Sequence, residues 1–120
     1  MAVRAIRGAT QLEVDDRDHL LASVDELIRA VFEANDVDTD DLVSMIFTAT
    51  PDLHSEFPAL AARQLGIGDV PLLCTQELDI AGAMPRVIRV MLHVETALTK
   101  AEVRHVYLRG AAALRRDLAQ

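Results

Sequence analysis

The hydrophobic and polar positions of this chain follow two periods, and the shorter period predicts five β-strands. Alternating or continuous apolar runs that are bounded by glycine, proline and polar residues are typical of strands. Such runs cover residues 3–10, 42–50, 70–75, 86–94 and 105–109. The polar stretch 35–41 predicts a loop, and residues 82–85 predict a turn.

The longer period predicts one long amphipathic helix. Between Asp15 and Asn35 the apolar residues recur on one helical face, and acidic residues open the segment, where they suit the positive end of the helix dipole. A short helix is predicted over residues 58–65 and a helical turn over 99–103, while the tail 110–120 fits a helical turn or an extended segment. We therefore expect one α+β domain over residues 1–120, with a mixed five-stranded sheet and the long helix across it.

Two arginines interrupt predicted strands at positions where a free charge is costly. Residues two apart in a strand share a face, so Arg7 and Arg89 each lie between apolar neighbours of the same face. A guanidinium stays charged when it is buried, so it requires a partner there, and its planar fork matches a carboxylate. The pattern indicates a site for a small anionic ligand.

Composition excludes several classes of partner. The chain has 12 Lys and Arg residues against 19 Asp and Glu residues, a net charge of -7 and a pI near 4.9, so it lacks the basic footprint of proteins that bind nucleic acids or anionic membranes. The single cysteine, Cys74, excludes an intramolecular disulfide, and the four histidines show no zinc-binding spacing. With no signal peptide or membrane-spanning segment recognisable, we expect a soluble cytoplasmic protein without a metal or cofactor.

Six short stretches, in their order and spacing, resemble one known family. The stretches are Ile6-Arg7-Gly8-Ala9-Thr10, Ala49-Thr50-Pro51-Asp52-Leu53-His54, Phe57-Pro58-Ala59, Gln76-Glu77-Leu78-Asp79, Ile88-Arg89-Val90-Met91 and Arg104-His105-Val106-Tyr107-Leu108. Together they resemble the monofunctional AroH-type chorismate mutases, and the resemblance runs from Arg4 to Leu118. It implies a homotrimer whose sheets pack as a pseudo-α/β barrel, with three sites in clefts between subunits.

The resemblance also implies an activity: an isomerase that converts chorismate to prephenate in phenylalanine and tyrosine biosynthesis, with no cofactor. By this resemblance Arg89, Glu77 and Arg7 are the catalytic residues. Arg89 would donate to the ether oxygen and to a carboxylate of the substrate, and Glu77 would accept from the ring hydroxyl. Arg7 and Tyr107 would bind the side-chain carboxylate.

Further substrate contacts are implied by the same resemblance. They are Phe57 from a neighbouring subunit as a wall of the cleft, Cys74 near the ring hydroxyl, Arg63 and Arg115 at the mouth, and Leu114. Two positions depart from the family pattern. Leu60 stands where lysine is frequent, and Arg116 replaces a frequent proline in the tail that would close over the ligand.

Structural alternatives stay open for these residues. Arg7 and Arg89 could be interior arginines that are paired for stability, with Glu77 as the partner of Arg89. Cys74 could be an inert buried thiol, and His105, like His54, could hold loops and strand ends through hydrogen bonds.

Two other functions share the expected fold. One is a trimeric enamine or imine deaminase-like protein, and the other is a metabolite-binding protein. A plain binding protein would need the arginines but not a carboxylate facing the ring, so the presence of Glu77 with Arg89 and Arg7 is the feature that discriminates.

Overall fold

A computed structural model describes residues 1–114 and shows five strands and two helices in that range. The strands are β1 (Ala2–Gln11), β2 (Leu42–Ala49), β3 (Leu72–Gln76), β4 (Val87–Thr96) and β5 (Val106–Leu108), and the helices are α1 (Arg17–Asn35) and α2 (Ala59–Gln64). Short 3-10 turns cover Thr39–Asp41 and Arg109–Ala113. The five predicted strands, both predicted helices and the α+β class are confirmed.

The strands form a mixed sheet in the order β3-β2-β4-β1-β5. The central strand β4 runs antiparallel to both of its neighbours, β1 and β2. The outer pairs, β2 with β3 and β1 with β5, are parallel. A parallel pair requires a crossover, and α2 supplies the one that joins β2 to β3.

Helix α1 begins and ends where its capping residues place it. The Asp16 carboxylate accepts a hydrogen bond of 3.0 Å from the backbone N–H of His19, which satisfies one of the free N–H groups of the first turn. At the other end Asp36 adopts a left-handed conformation, with φ of 50°, and its N–H bonds back to the last turn. The helix therefore stops at Asn35, as its apolar period predicts.

Both helices pack on one face of the sheet, and the hydrophobic core lies between. That face carries fully buried side chains from three neighbouring strands, including Ile6, Phe47 and Leu92. Gly8 lies on the same face, and a Cβ atom there would come within 2.9 Å of Cγ2 of Val31 on α1. The absence of a side chain at Gly8 lets the helix approach the sheet closely.

The opposite face, which we call the open face, is covered by neither helix. Val3, Leu73 and Met91 lie there with exposed fractions of 54%, 60% and 39%. Arg7 and Arg89 share this face, since Arg7 pairs with Met91 and Ala9 with Arg89. The prediction that the arginines lie on an apolar face is confirmed, but in the single chain they are half-exposed rather than buried.

Some element ends differ from the predicted bounds. Strand β3 begins at Leu72 rather than at residue 70, after a proline that has no N–H for a sheet hydrogen bond. Strand β4 continues two residues beyond Val94 because Glu95 and Thr96 pair with the start of β1. The predicted loop 35–41 ends in a 3-10 turn that Asp38 caps through a 3.0 Å bond from the N–H of Asp40.

Candidate active site

A pocket of about 310 Å³ lies on the open face and contains four of the predicted site residues. Arg7, Arg89, Glu77 and Tyr107 all line it, although they come from four different parts of the sheet. The sheet register explains why they meet. Ala9 pairs with Arg89 on one side and with Tyr107 on the other, so these side chains stand side by side on one face.

Glu77 reaches the pocket from the end of β3. Its backbone N–H donates to the carbonyl oxygen of Ala49 at 2.9 Å, which extends the pairing of β3 with β2 by one residue. Residues 73, 75 and 77 share a face by strand alternation, and that face is the open one. The carboxylate is thereby directed to the same side of the sheet as Arg89.

Arg89 and Glu77 form an ion pair within the pocket. Nε of Arg89 lies 3.2 Å from Oε2 of Glu77, and their side chains are 41% and 25% exposed. The Nε atom is itself buried and makes no well-aligned hydrogen bond among residues 1–114. The alternative in which Glu77 is the partner of Arg89 is thus confirmed as a contact, and the two Nη nitrogens of Arg89 donate no hydrogen bond to residues 1–114.

Arg7 is held by its backbone while its guanidinium has no acidic partner among residues 1–114. Its N–H donates to Nδ1 of His105 at 3.0 Å. The prediction that His105 secures a strand end is confirmed. With two arginines and one carboxylate lining it, the described part of the pocket has an excess of positive charge, which favours an anionic ligand.

Phe57 and Cys74 lie away from this pocket. They line a second pocket of about 370 Å³, where Phe57 is 69% exposed. Cys74 pairs with Phe47 and its side chain packs against the core, on the face of the sheet that α1 covers. Cys74 and Glu77 are an odd number of residues apart, so strand alternation itself separates them.

The remaining predicted contacts lie at the edges of the described structure. Arg63 is exposed on α2 and lines neither of the two pockets. Leu114 is half-buried at the end of the described range. Arg115 lies outside the described residues, and so does Arg116, the tail position that differs from the family pattern. Leu60 is partly buried and packs against the core.

The loop that carries Phe57 is tied to the start of α1 by charged groups. Glu56 accepts a 2.9 Å bond from the N–H of Phe57 and a 2.8 Å bond from Nε of Arg17. The Phe57 N–H, and then the Arg17 side chain, hold the pKa of Glu56 below its ordinary value of 4.5. Beside it, the N–H of His54 donates to Asp15 at 2.9 Å, so this loop is held by backbone contacts to two carboxylates, while the His54 ring plays no part in that bond.

Thr48 is a pocket residue that the sequence does not single out. It lies in β2 opposite Arg89, and its hydroxyl donates to Oε2 of Glu77. A threonine inside an apolar strand reads as an ordinary β-former. The observation that could identify Thr48 is its position, since pairing with Arg89 across β2 and β4 places both side chains on the open face.

Two other features are absent from the described part of the chain. Residues 1–114 contain no group of three or more His, Cys, Asp or Glu side chains placed to hold a metal ion. No helix in that range combines the length and the hydropathy needed to cross a bilayer.

The similarity of this chain to known proteins identifies its family. The family model described as chorismate mutase type I matches residues 3–118. The chain belongs to this family. It is 43% identical over 119 residues to the chorismate mutase AroH of Bacillus subtilis strain 168, covering 98% of this chain and 94% of that protein. It is 46% identical over 117 residues to the chorismate mutase AroH of Thermus thermophilus, covering 97% and 96%.

A solved structure is similar to this chain in fold as well as in sequence. The chorismate mutase from Clostridium thermocellum superposes with a TM-score of 0.90 at 42% identity, over 92% of this chain and 98% of that chain. The resemblance that the six motifs indicate is therefore confirmed over nearly the whole chain. The match favours a chorismate mutase over the deaminase-like and metabolite-binding alternatives, since it is specific to this family.

Proposed function

We propose that the chain catalyses the conversion of chorismate to prephenate, as an isomerase of aromatic amino acid biosynthesis. The observation that carries the proposal is the Arg89–Glu77 ion pair beside Arg7 in one pocket of a chain that belongs to the type I chorismate mutase family. A carboxylate beside the arginines is the feature that a plain anion-binding protein would not require.

The reaction suits a site of this kind. Chorismate is a dicarboxylate with a ring hydroxyl and an enolpyruvyl ether, and its rearrangement is intramolecular. It transfers no proton to the protein and needs no nucleophile. The protein contributes by holding the side chain over the ring and by stabilising the charge that separates as the ether bond breaks.

Four of the side chains that line the pocket have assigned roles in this proposal. The free Nη nitrogens of Arg89 donate to the ether oxygen as it becomes negative and to a substrate carboxylate. Arg7 and Tyr107 bind the side-chain carboxylate, and Glu77 accepts from the ring hydroxyl and faces the positive charge that develops on the ring. The position of all four around one pocket supports these roles.

We propose further that three copies of this domain, residues 1–120, assemble through their open faces into a pseudo-α/β barrel in the cytoplasm. The exposed apolar side chains of that face support the assembly. Because Phe57 lies on a separate surface, we expect it to complete the pocket from a neighbouring subunit, and we expect Cys74, which lines the same second pocket as Phe57, near the ring hydroxyl. Arg63 and Arg115 are then expected at its mouth, and Leu114 is a further expected substrate contact.

An assay on purified protein tests the activity directly. Chorismate is added, and its loss and the formation of prephenate are followed by proton NMR. Arg89→Ala is compared with Arg29→Ala, which removes an exposed arginine that is paired with Asp25 on α1, outside the pocket. Turnover by the wild type and by Arg29→Ala, with strong loss in Arg89→Ala, supports the proposal. Absence of prephenate with the folded wild type would overturn it.

A further inference from the structure

The hydroxyl of Thr48 is bonded to the carboxylate that the proposed function places against the substrate. Thr48 stands in β2, paired with Arg89 on one side and with Thr75 of β3 on the other, so its side chain belongs to the open face. Its Oγ1 donates to Oε2 of Glu77, the same oxygen that lies 3.2 Å from Nε of Arg89. One carboxylate oxygen therefore takes both contacts.

This arrangement divides the atoms of the ion pair into two groups. Oε2 of Glu77 and Nε of Arg89 face each other. Oε1 of Glu77 and the Nη nitrogens of Arg89 take part in no hydrogen bond among residues 1–114, and both side chains line the pocket. The atoms that remain are the ones a ligand can use.

Glu77 needs such an anchor because of where it lies. It follows the last residue of β3, which is an edge strand, and the residues after it, Leu78 and Asp79, are exposed. A glutamate side chain at such a place has several accessible rotamers. Arg89 alone would hold it only until a ligand competed for the guanidinium.

We propose that Thr48 is a positioning residue, whose hydroxyl holds Oε2 of Glu77 so that Oε1 is presented to the bound substrate. The inference rests on the proposed function, since it assigns Thr48 a part in that reaction. A fixed carboxylate costs no reorganisation when the ligand arrives, which is the advantage of a preorganised site. The β2 strand supplies the rigidity, because Thr48 lies near its end between two paired strands.

Two substitutions separate the hydroxyl from the shape of the side chain. Thr48→Val keeps the branched shape and removes the donor, whereas Thr48→Ser keeps the donor and removes the methyl group. We expect Thr48→Val to lower kcat by about 10- to 100-fold, the range for losing a hydrogen bond to a charged group, with a smaller change in KM. Thr48→Ser is expected to stay within about threefold of wild type. Thr39→Val, at an exposed threonine of a 3-10 turn, controls for loss of a hydroxyl elsewhere.

A double-mutant cycle tests that Thr48 acts through Glu77. Thr48→Val is expected to add little to the defect of Glu77→Gln, because the group it positions is already changed. Full additivity of the two defects would overturn the inference. If Thr48→Val does not fold, Thr48→Ala takes its place in the cycle, with melting temperatures measured for every variant.

The outcomes distinguish the inference from the function it rests on. A folded wild type that forms no prephenate overturns the proposed function. An active wild type with an equally active Thr48→Val overturns the role of Thr48 alone. Thr48→Ser being the more impaired of the two variants would show that the methyl group matters by packing, and it also rejects the positioning role.

Discussion

Arg89 is the residue on which the proposed catalysis depends most, because it is the only pocket arginine that is both paired and aimed by a neighbour among residues 1–114. Its Nε lies 3.2 Å from Oε2 of Glu77, which orients the fork of the guanidinium, and its outer nitrogens donate no hydrogen bond to residues 1–114. A lysine at this position would keep the charge and lose both the fork and the fixed orientation.

Substitution of Arg89 is therefore expected to affect turnover more than ground-state binding. The negative charge on the ether oxygen exists only in the transition state. Removing the group that stabilises this charge therefore lowers kcat. We expect Arg89→Ala to lower kcat by roughly 100- to 1,000-fold, as for loss of one preorganised donor, and Arg89→Lys to recover little of it. Steady-state kinetics on variants shown to be folded, with Arg29→Ala as the control, measure this. A fall in activity that merely follows a fall in stability would assign Arg89 a structural role.

At the residue scale, the sequence is informative where a charge stands out and silent where a polar residue looks ordinary. Arg7 and Arg89 interrupt apolar strands, and this interruption alone predicts a site. Thr48 interrupts nothing, because threonine is common in strands, so its contact with Glu77 becomes visible only through the pairing of β2 with β4. Cys74 shows that strand alternation carries information too, since its separation from Glu77 places it on the other face.

At the scale of elements, the approach of α1 to the sheet is set by a position without a side chain. A Cβ on Gly8 would lie 3.1 Å from Cδ1 of Leu27 and 3.2 Å from Cγ1 of Val90, closer than ordinary contacts. Val31 is closer still. The helix would have to move outward or side chains would have to leave their rotamers. Either change also disturbs β1 next to Arg7.

Gly8→Ala is expected to destabilise the fold by about 1–3 kcal/mol, the usual cost of overpacking a core. Gly68→Ala is a matched control, since a Cβ there meets nothing within 4 Å. That variant is expected to stay within about 0.5 kcal/mol of wild type. Urea unfolding at one protein concentration measures both. Equal stability of the two variants would show that the close approach of α1 to the sheet does not prevent a side chain at position 8.

The loop before α2 has a pH dependence that follows from Glu56. The Phe57 N–H and Arg17 lower the pKa of this carboxylate from 4.5, so folding favours its charged form. The stabilisation is complete above pH 4.5 and is lost as the pH falls through the lower pKa of the folded state.

We expect Glu56→Gln to lower stability at neutral pH, with the difference from wild type shrinking as the pH falls below 4.5. Urea midpoints measured from neutral pH down to the acid limit of folding test this. Glu33→Gln, at an exposed carboxylate without a partner among residues 1–114, is the control. A difference that grows in acid would contradict the assigned sign.

Element existence follows from the sequence better than element ends do. The period of α1 and the apolar runs of the strands are local properties, so the sequence predicts them. The ends depend on partners: β4 is lengthened by the start of β1, and Asn35 at the end of α1 is buried because its amide bonds the backbone of Arg104 at 2.7 and 2.8 Å. Nothing near Asn35 in the sequence indicates that contact.

At the scale of the whole molecule, the open face connects the fold to the proposed assembly. Strand order and the side on which helices pack cannot be deduced from apolar runs alone, and the expected trimer follows from the family resemblance. The structure adds a physical reason for it. A sheet with helices on one face and exposed Leu73, Val3 and Met91 on the other leaves apolar surface that a partner can bury.

The proposed sharing of each site between two subunits predicts complementation between two inactive variants. Arg89→Ala removes the pocket arginine. Phe57→Asp places a negative charge on the surface that a neighbouring subunit contributes in the proposed trimer, where it would repel a dianionic substrate. If each site takes Arg89 from one subunit and Phe57 from the next, random mixed trimers carry both native residues in about a quarter of their sites. Co-refolding the two variants should then restore a substantial fraction of wild-type turnover, while each variant refolded alone stays inactive. Light scattering verifies the trimer in every sample, and a mixture that remains inactive, or an active monomer, would rule out sites shared between subunits.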